Sequence, residues 1–192
     1  MSSIDIKQPS ARQRLLDAAA RLFYADGIAA TGIDAITTEA GVARKSLYNN
    51  FGSKQDLMLA YIEARHEEWL ELYRARLEQA QSPRARVLAV FDAYLDHARS
   101  AYPHGFRGCG LLNAAAEFPV DSPGREAVRR HKEEVEHILT GHLREAGVTY
   151  SAAMAEHLSF LLEGAMSRAG LEGSPERLSH ARRIASRLLE GR

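Results

Sequence analysis

The sequence predicts an all-α protein of about nine helices, with an N-terminal three-helix domain containing a helix-turn-helix and a larger C-terminal helical domain. Three observations predict this class. Apolar residues recur at three- and four-residue spacing along nearly the whole chain, no alternating Val/Ile/Thr run is long enough for a strand, and Gly, Ser and Pro separate the periodic segments. We place the domain boundary after residue 56, which gives an N-terminal helix-turn-helix domain at 1–56 and a C-terminal helical domain at 57–192.

The first three predicted helices have the layout of a helix-turn-helix DNA reader. Helix one covers about residues 11–24. Thr31 is expected to be the N-cap of helix two, and Asp34, three residues later, to complete a capping-box-like pair with it. Gly41 forms the turn, because glycine takes a left-handed backbone without penalty. Helix three then covers about residues 43–50.

The charge balance limits how the chain could bind DNA. The 192 residues contain 25 Lys and Arg against 25 Asp and Glu, so the formal net charge is zero. A neutral chain does not coat nucleic acid through bulk charge, and any DNA binding must come from a local cluster. Such a cluster surrounds the predicted turn: between Ala40 and Gln55 there are three cations and no acid.

The outer face of helix three offers the chemistry that reads base pairs. Arg or Lys pairs with guanine and Asn with adenine in the major groove, while hydroxyl groups and helix N-termini suit phosphates. The residues expected to contact DNA are Thr31, Arg44, Lys45, Ser46, Tyr48, Asn49 and Lys54. The alternative from these residues alone is an ordinary Gly-separated helix pair with a solvated basic face.

Residues 47–54 read L-Y-N-N-F-G-S-K, a long and ordered motif. Further matching positions are Ala18, Ala19, Leu22, Phe23, Gly27, Thr31, Gly32, Ile33, Ile36, Ala40, Gly41, Val42 and Leu57. Together they make the segment from Arg12 to Tyr61 resemble the N-terminal domain of the tetracycline-repressor (TetR) family of bacterial regulators, whose signature is L-Y-x-(H/Y)-F-x-(S/N)-K. Two positions depart from it: Ala43 stands where the family usually has Ser or Thr, and Asn50 replaces the usual His or Tyr.

The resemblance implies a homodimer with an N-terminal DNA reader and a C-terminal effector domain. It also implies repression of an operator that is relieved when a small molecule binds. The competing interpretation keeps the DNA reader but gives the C-terminal domain a protein partner and no small molecule. An enzyme is disfavoured, since no nucleophile–base pair or metal-binding spacing such as H-E-x-x-H occurs. We expect no cofactor and no metal.

One segment of the C-terminal half resembles part of a TetR-like subgroup. Residues 107–119 read R-G-C-G-L-L-N-A-A-A-E-F-P, similar to R-G-C-x-x-x-N-A-A-A-E-F, and their position suggests a short helix that walls the effector pocket. The residues expected to line that pocket are Trp69, Tyr73, Tyr94, Cys109, Asn113 and Glu117. The alternatives stay open: core packing for the aromatic residues, and capping or contact with the DNA-reading domain for Asn113 and Glu117. A redox role for Cys109 beside Arg107 is a further alternative.

The last two predicted helices carry more apolar surface than two terminal helices need. Pairing with a twofold mate would bury it in a four-helix bundle, which is the dimer interface that the resemblance implies. The residues expected there are Leu158, Leu162, Ala165, Met166, Ala181, Ile184, Ala185 and Leu188. The alternative is burial of these residues within one protomer.

Cysteine content and hydropathy favour a cytoplasmic protein. Cys109 is the single cysteine, so no internal disulfide can form, as is usual in a reducing compartment. No run of about 18 apolar residues occurs, so we expect no membrane span. Residues 1–10 lack the apolar region of a signal peptide and are expected to form a frayed arm.

Overall fold

Nine α-helices and no strand make up the described part of the chain, which in this computed structural model comprises residues 9–100, 102 and 104–190. This confirms the predicted fold class. The helices are α1 (Ala11–Asp26), α2 (Ile33–Ala40), α3 (Arg44–Phe51), α4 (Lys54–Glu78), α5 (Pro83–Arg99), α6 (Gly110–Ala116), α7 (Pro123–Glu145), α8 (Ser151–Glu172) and α9 (Glu176–Glu190). Most of the predicted N-terminal arm lies outside the described residues.

Helices α1 to α3 form the N-terminal head around a small apolar core. Leu15, Ile36 and Leu47, one from each helix, are fully buried together. Because an eight-residue helix is marginal by itself, this packing is what keeps α2 and α3 helical. The core therefore fixes the angle at which α3 is presented.

The turn between α2 and α3 has the geometry predicted for Gly41. Its backbone lies in the left-handed region, with φ 62° and ψ 40°. The Val42 N–H returns to the Thr37 carbonyl at 3.0 Å, and the Gly41 N–H donates to the Thr38 carbonyl at 3.1 Å. This pair of bonds is a Schellman end, and it satisfies carbonyls that the helix terminus would leave free.

Helix α4 joins the head to the rest of the molecule. Ser53 caps it, since the Asp56 N–H donates to the Ser53 hydroxyl at 3.1 Å. The helix has 25 residues, and residue 56 lies in its first turn. It packs against α5 and α7, and α8 and α9 pack together farther along the chain. No helix among the described residues is long and apolar enough to cross a membrane.

The predicted dimer residues are a mixture of core and surface, which corrects the sequence interpretation. Five of the eight are buried within the protomer: Leu158, Leu162, Met166, Ala181 and Ala185. Ala165 and Ile184 are half-buried, and Leu188 is exposed. The five buried positions lie on the sides of α8 and α9 that face their own protomer, so the alternative of internal burial is correct for them.

Candidate DNA-binding surface and ligand cavity

The outer face of α3 is a polar surface anchored from beneath by apolar residues. Leu47 and Phe51 are buried in the head. Lys45, Tyr48 and Asn49 are exposed on the same short helix. The Tyr48 side chain is 43% exposed, so its aromatic ring lies in water beside the polar residues. This surface, with the half-buried Ser46, is what α3 can offer to the edge of a base pair or to a phosphate.

Arg44 and Asn50 are tied to the head by exposed contacts. The Arg44 guanidinium donates to both oxygens of Asp34 on α2, at 2.9 and 3.2 Å. Both partners are well exposed, so the ion pair is weak and can give way to a phosphate or a base. The Asn50 amide donates to the Ser46 carbonyl at 2.8 Å. Ala43 precedes α3 and gives no side-chain cap, as its methyl group requires.

Thr31 does not take the role predicted for it. Gly32 is the N-cap of α2 and gives no side-chain cap bond, so the capping pair with Asp34 does not form. The Thr31 side chain is 3% exposed, and its hydroxyl donates to the Gly27 carbonyl at 2.6 Å. The small hydroxyl satisfies the end of α1 instead of facing a phosphate. In this region the left-handed turn at Gly41 was predicted correctly, and the Thr31 cap was not.

Lys54 also has an internal partner. Its ammonium donates to the Ile28 carbonyl at 2.7 Å, in the turn between α1 and α2. The same turn is held from the other side by Glu117, whose carboxylate accepts from the Ile28 N–H at 2.9 Å and the Ala29 N–H at 2.7 Å. We call residues 28–29, with Lys54 and Glu117, the head clamp. Lys54 therefore positions the head, and its predicted contact to phosphate is not supported by this geometry.

A cavity of about 140 Å³ lies where the head meets the C-terminal helices. Helices α1, α4, α5, α6 and α7 all contribute to its wall, as does Tyr102 between α5 and α6. The lining residues are Ala20, Arg21, Tyr24, Tyr61, Arg65, Glu68, Trp69, Tyr94, His97, Ser100, Tyr102, Cys109, Gly110, Leu111 and His131. The wall is rich in aromatic rings, which is typical of a small-molecule site.

Three of the six predicted pocket residues line this cavity. Trp69, Tyr94 and Cys109 do so. Tyr73 stacks on Trp69 with parallel rings 5.5 Å apart, but its hydroxyl is bonded to the His142 ring at 2.5 Å. Tyr73 is thus a packing residue behind the cavity wall, and the prediction is wrong for it.

Asn113 and Glu117 are not pocket residues either. Helix α6 begins at Gly110, so Cys109 precedes it and shares no buried face with these two exposed side chains. The Asn113 amide donates to the Arg107 carbonyl at 3.1 Å, and Glu117 belongs to the head clamp. The alternative of contact with the DNA-reading domain is the correct one for Glu117.

Several cavity residues were missed by the sequence interpretation. Tyr24 lies in the head and Tyr61 on α4 just after it, and an aromatic residue at helical spacing is usually core. Arg65, Glu68 and His131 resemble the many exposed charged and histidine residues of long helices. Only three-dimensional placement distinguishes them, since no spacing rule marks a residue that faces a junction between domains.

The segment before α6 is attached to the end of α1 by a second set of bonds. The Tyr24 hydroxyl accepts from the Arg107 N–H at 2.6 Å and donates to the Gly108 carbonyl at 3.2 Å. The Arg107 guanidinium donates to the Tyr24 and Ala25 carbonyls. Arg107 is therefore engaged at the C-terminus of α1, where a cation complements the helix dipole.

The cation beside Cys109 is Lys132 and not Arg107, which differs from the sequence interpretation. The Lys132 ammonium lies 3.5 Å from Cys109 Sγ and donates to Glu163 at 2.7 Å. Cys109 is 8% exposed. This burial limits access to the sulfur, and it favours the structural alternative over the redox one.

Two histidines of the cavity wall are held in the neutral form. Burial, helped by the charges of Arg65 and Lys132, lowers the pKa of His97 to about 4. Burial, helped by Lys132, lowers the pKa of His131 to about 3. The His131 Nδ1 lies 2.8 Å from the His66 Nδ1, and the other nitrogen of His66 faces Glu134 at 3.3 Å. Within the described residues, no cluster of three metal-ligating side chains occurs.

Comparisons with known proteins agree with this architecture. The family described as "Bacterial regulatory proteins, tetR family" matches residues 15–61, and "Tetracyclin repressor-like, C-terminal domain" matches residues 83–185. The crystal structure of SCO4454, a TetR-family transcriptional regulator from Streptomyces coelicolor, is 36% identical, with a TM-score of 0.83 over 93% of this chain and 95% of that one. The regulatory protein TetR from Rhodobacter sphaeroides is 29% identical, with a TM-score of 0.77 over 92% and 97%.

The sequence relatives are also named as regulators. The HTH-type transcriptional activator FasR from Mycolicibacterium smegmatis is 34% identical over 85 residues, 44% of this chain. The match spans 39% of that relative's length. With both family matches, the exposed polar face of α3 and the helical C-terminal domain in agreement, this chain belongs to the TetR family of DNA-binding transcriptional regulators.

Proposed function

We propose that the protein is a homodimeric repressor that binds an operator through α3 and is released when a small molecule enters the cavity. One observation supports this most strongly: the cavity wall and the attachment of the head are made by the same segments. Tyr24 lines the cavity and also bonds to residues 107 and 108. A ligand that moves the cavity wall must therefore also move the attachment of the head.

The proposed DNA contacts are the residues whose side chains point away from the head core. Lys45, Tyr48 and Asn49 are exposed, and Arg44 is held by exposed contacts with Asp34 and Tyr48. Ser46, at the edge of the surface, is the last of the proposed DNA contacts. Thr31 and Lys54 act indirectly in this proposal, by supporting the α1–α2 turn.

A second copy is needed for useful affinity. Two recognition helices enter successive major grooves when they lie about 34–36 Å apart, so the dimer geometry sets operator spacing. The proposed interface is the outer face of α8 and α9, where Phe160 is 65% exposed and Leu188 is 42% exposed. Half-buried Ala165 and Ile184 lie in the same shallow depression as Phe160.

Release follows from the connection between cavity and head. Helix α6 supplies Gly110 and Leu111 to the cavity, and Glu117 at its C-terminus holds the Ile28–Ala29 turn. A ligand that displaces α6 would pull the clamp and rotate the head. To act as a switch, the ligand must favour the released form by a few kcal/mol.

The test begins with operator selection from random or genomic DNA fragments on the purified full-length protein. Fluorescence anisotropy then gives operator affinity, and analytical ultracentrifugation gives the oligomeric state. We expect a dimer that Phe160→Glu dissociates, with loss of operator affinity and retained helicity by circular dichroism. The matched control is Tyr150→Glu, which also replaces an exposed aromatic residue of the C-terminal domain with a charged one. Unchanged dimerisation and DNA binding in Phe160→Glu would contradict the proposed interface.

A reporter gene behind the selected operator tests the direction of regulation. Repression predicts higher expression when the chain is absent. Because FasR is named an activator, lower expression would assign activation and would overturn the repressor part of the proposal while leaving operator binding intact.

A further inference from the structure

We propose that the cavity binds an uncharged single-ring aromatic compound with a hydrogen-bond-accepting oxygen, such as an aryl ketone. The oxygen would accept from the Trp69 Nε1–H and the Tyr94 hydroxyl. This inference rests on the proposed function, in which the cavity receives the effector, and it adds the chemical class of that effector.

Two buried donors in the wall have no acceptor. Trp69 is 4% exposed and Tyr94 is 2% exposed, and neither the Trp69 Nε1–H nor the Tyr94 O–H has an acceptor, since the Lys132 ammonium beside the Tyr94 hydroxyl can only donate. Their rings lie 5.5 Å apart on adjacent helices, and both residues line the cavity. An indole N–H can only donate, so a ligand acceptor is what satisfies it. A buried donor left without a partner costs free energy, which binding of an acceptor would recover.

The charges around the cavity are balanced. Arg65 pairs with Glu68 at 2.7 Å, and Lys132 pairs with Glu163 at the same distance. His97 and His131 are neutral because burial lowers the pKa of each well below 6. A charged ligand would lose its hydration here without gaining an unpaired counter-ion. The balance therefore favours an uncharged ligand.

The tyrosines of the wall stay protonated and keep their hydroxyl donors. Burial raises the pKa of Tyr61, Tyr94 and Tyr102, and it also raises the pKa of Tyr24. No phenolate is thus available to balance a cationic ligand. The Arg65 Nε is a further buried donor without an acceptor, and it makes an anionic competitor a necessary arm of the test.

Size and lining favour one aromatic ring. The cavity volume of about 140 Å³ is close to the roughly 150 Å³ of an engineered apolar cavity that holds benzene. Five aromatic residues other than histidine surround it: Tyr24, Tyr61, Trp69, Tyr94 and Tyr102. Rings in such a wall pack against a ligand ring edge-to-face or in an offset stack. A larger effector would first need the wall to move.

The test compares three probes that differ in one property each. Acetophenone has the ring and a carbonyl acceptor, ethylbenzene has similar size and no acceptor, and benzoate carries a charge. Trp69 is the single tryptophan of the chain, so the ¹⁵N-labelled full-length protein gives one indole N–H resonance. We expect acetophenone to shift this resonance downfield in a saturable way, as a new hydrogen bond does. Ethylbenzene controls for ring-current effects and should shift it less, and benzoate should bind at least roughly tenfold more weakly than acetophenone.

A tyrosine variant isolates the second donor. Tyr94→Phe removes one hydroxyl and keeps the ring, so the preference for acetophenone over ethylbenzene should fall by about fivefold to tenfold. Tyr73→Phe is the matched control, since that hydroxyl is bonded to His142 outside the cavity, and the preference should not change. If Tyr94→Phe fails to fold, the Trp69 shift in the unmodified protein still decides the proposal.

The ligand class is overturned by equal shifts with acetophenone and ethylbenzene, by tighter binding of benzoate, or by no saturable binding. Adding each probe to the operator complex separates this result from the proposed function. If acetophenone binds with the expected preference and leaves the complex intact, the ligand class holds and effector release fails. If only a charged or much larger compound binds and releases the operator, release holds and the ligand class fails.

Discussion

Helices α3 and α6 are both short and both carry polar residues at helical spacing, yet they use those residues in opposite ways. On α3, Lys45, Tyr48 and Asn49 remain exposed. Around α6, Asn113 and Glu117 are bonded to backbone groups of the loop before α6 and of the head. The side chains on α3 therefore remain available to a partner, while those of Asn113 and Glu117 are used within the protomer. Four expected outcomes can break or sharpen this comparison.

The largest effect is expected where α8 meets the loop before α6. A Cβ at Gly170 would lie 2.5 Å from the Gly108 backbone nitrogen and 2.7 Å from Arg107 C. Gly170→Ala should therefore lower the free energy of unfolding by about 3 kcal/mol, because backbone cannot yield as a flexible side chain does. Urea denaturation followed by circular dichroism measures this.

Gly141→Ala is the control for that substitution. A Cβ there meets nothing within 4 Å on α7, so the helix should gain up to about 1 kcal/mol from alanine's higher propensity. Equal effects of the two substitutions would show that the loop before α6 is not fixed by α8, which would weaken the contrast with α3.

Acid should destabilise the α6 side of the molecule more than α3. The pKa of His131 is lowered to about 3 in the folded protein against about 6.5 when unfolded. The unfolded chain then binds more protons below pH 6.5, so stability is complete above that pH and falls as the pH drops toward 3. Between pH 7 and pH 5 the loss from this group should be about 2 kcal/mol.

Denaturant titrations of His131→Phe and His137→Gln at the two pH values test that assignment. The first should reduce the pH dependence by about half, because the lowered pKa of His97 supplies a similar loss. The second should leave the pH dependence unchanged, since His137 is exposed. A pH dependence unaffected by His131→Phe would place the proton uptake elsewhere.

Weakening the head clamp should have a smaller effect. Glu117→Gln removes the charge from two hydrogen bonds to the Ile28 and Ala29 N–H groups. Because the carboxylate is exposed, we expect a loss of about 1.5 kcal/mol in thermal or urea unfolding. Glu133→Gln, which alters an exposed carboxylate of α7, should cost much less. If the two variants match, the clamp contributes nothing measurable.

A substitution on the exposed face of α3 should have the smallest effect on stability and a clear effect on DNA binding. Lys45→Ala should weaken operator binding about fivefold to tenfold, or about 1 kcal/mol, while the free energy of unfolding stays unchanged. Arg74→Ala on α4 is the control for the loss of one exposed cation. Anisotropy titrations at several salt concentrations measure the affinity. Operator binding by Lys45→Ala at the level of the unmodified protein would remove Lys45 from the contact surface.

The sequence was sufficient for the fold class and for the helix-turn-helix layout of the head because both depend on local patterns. Periodic apolar residues and the Gly41 turn determine which segments are helical and how α2 meets α3. The exposed residues of α3 can be predicted as well, because the apolar residues Leu47 and Phe51 identify the face that is buried. These features are encoded within a few residues of each other.

The cavity could not be predicted in the same way because it depends on contacts between distant segments. Glu117 lies 88 and 89 residues from the backbone groups that it holds. Thr31 and Tyr73 look like an ordinary N-cap and an ordinary pocket aromatic until their hydroxyl partners are known. On α8, three of the four residues predicted for the dimer interface, Leu158, Leu162 and Met166, are buried within their own protomer.

The head clamp shows that the head depends on a residue outside the N-terminal domain. A chimeric regulator made by joining the first 56 residues of this chain to another effector domain would carry the Ile28–Ala29 turn and Lys54, but it would leave Glu117 behind. The grafted head would then have two unpaired backbone donors and no fixed orientation toward its new neighbour. Exchange of DNA specificity between such proteins therefore requires transplanting a position in the C-terminal half together with the N-terminal domain.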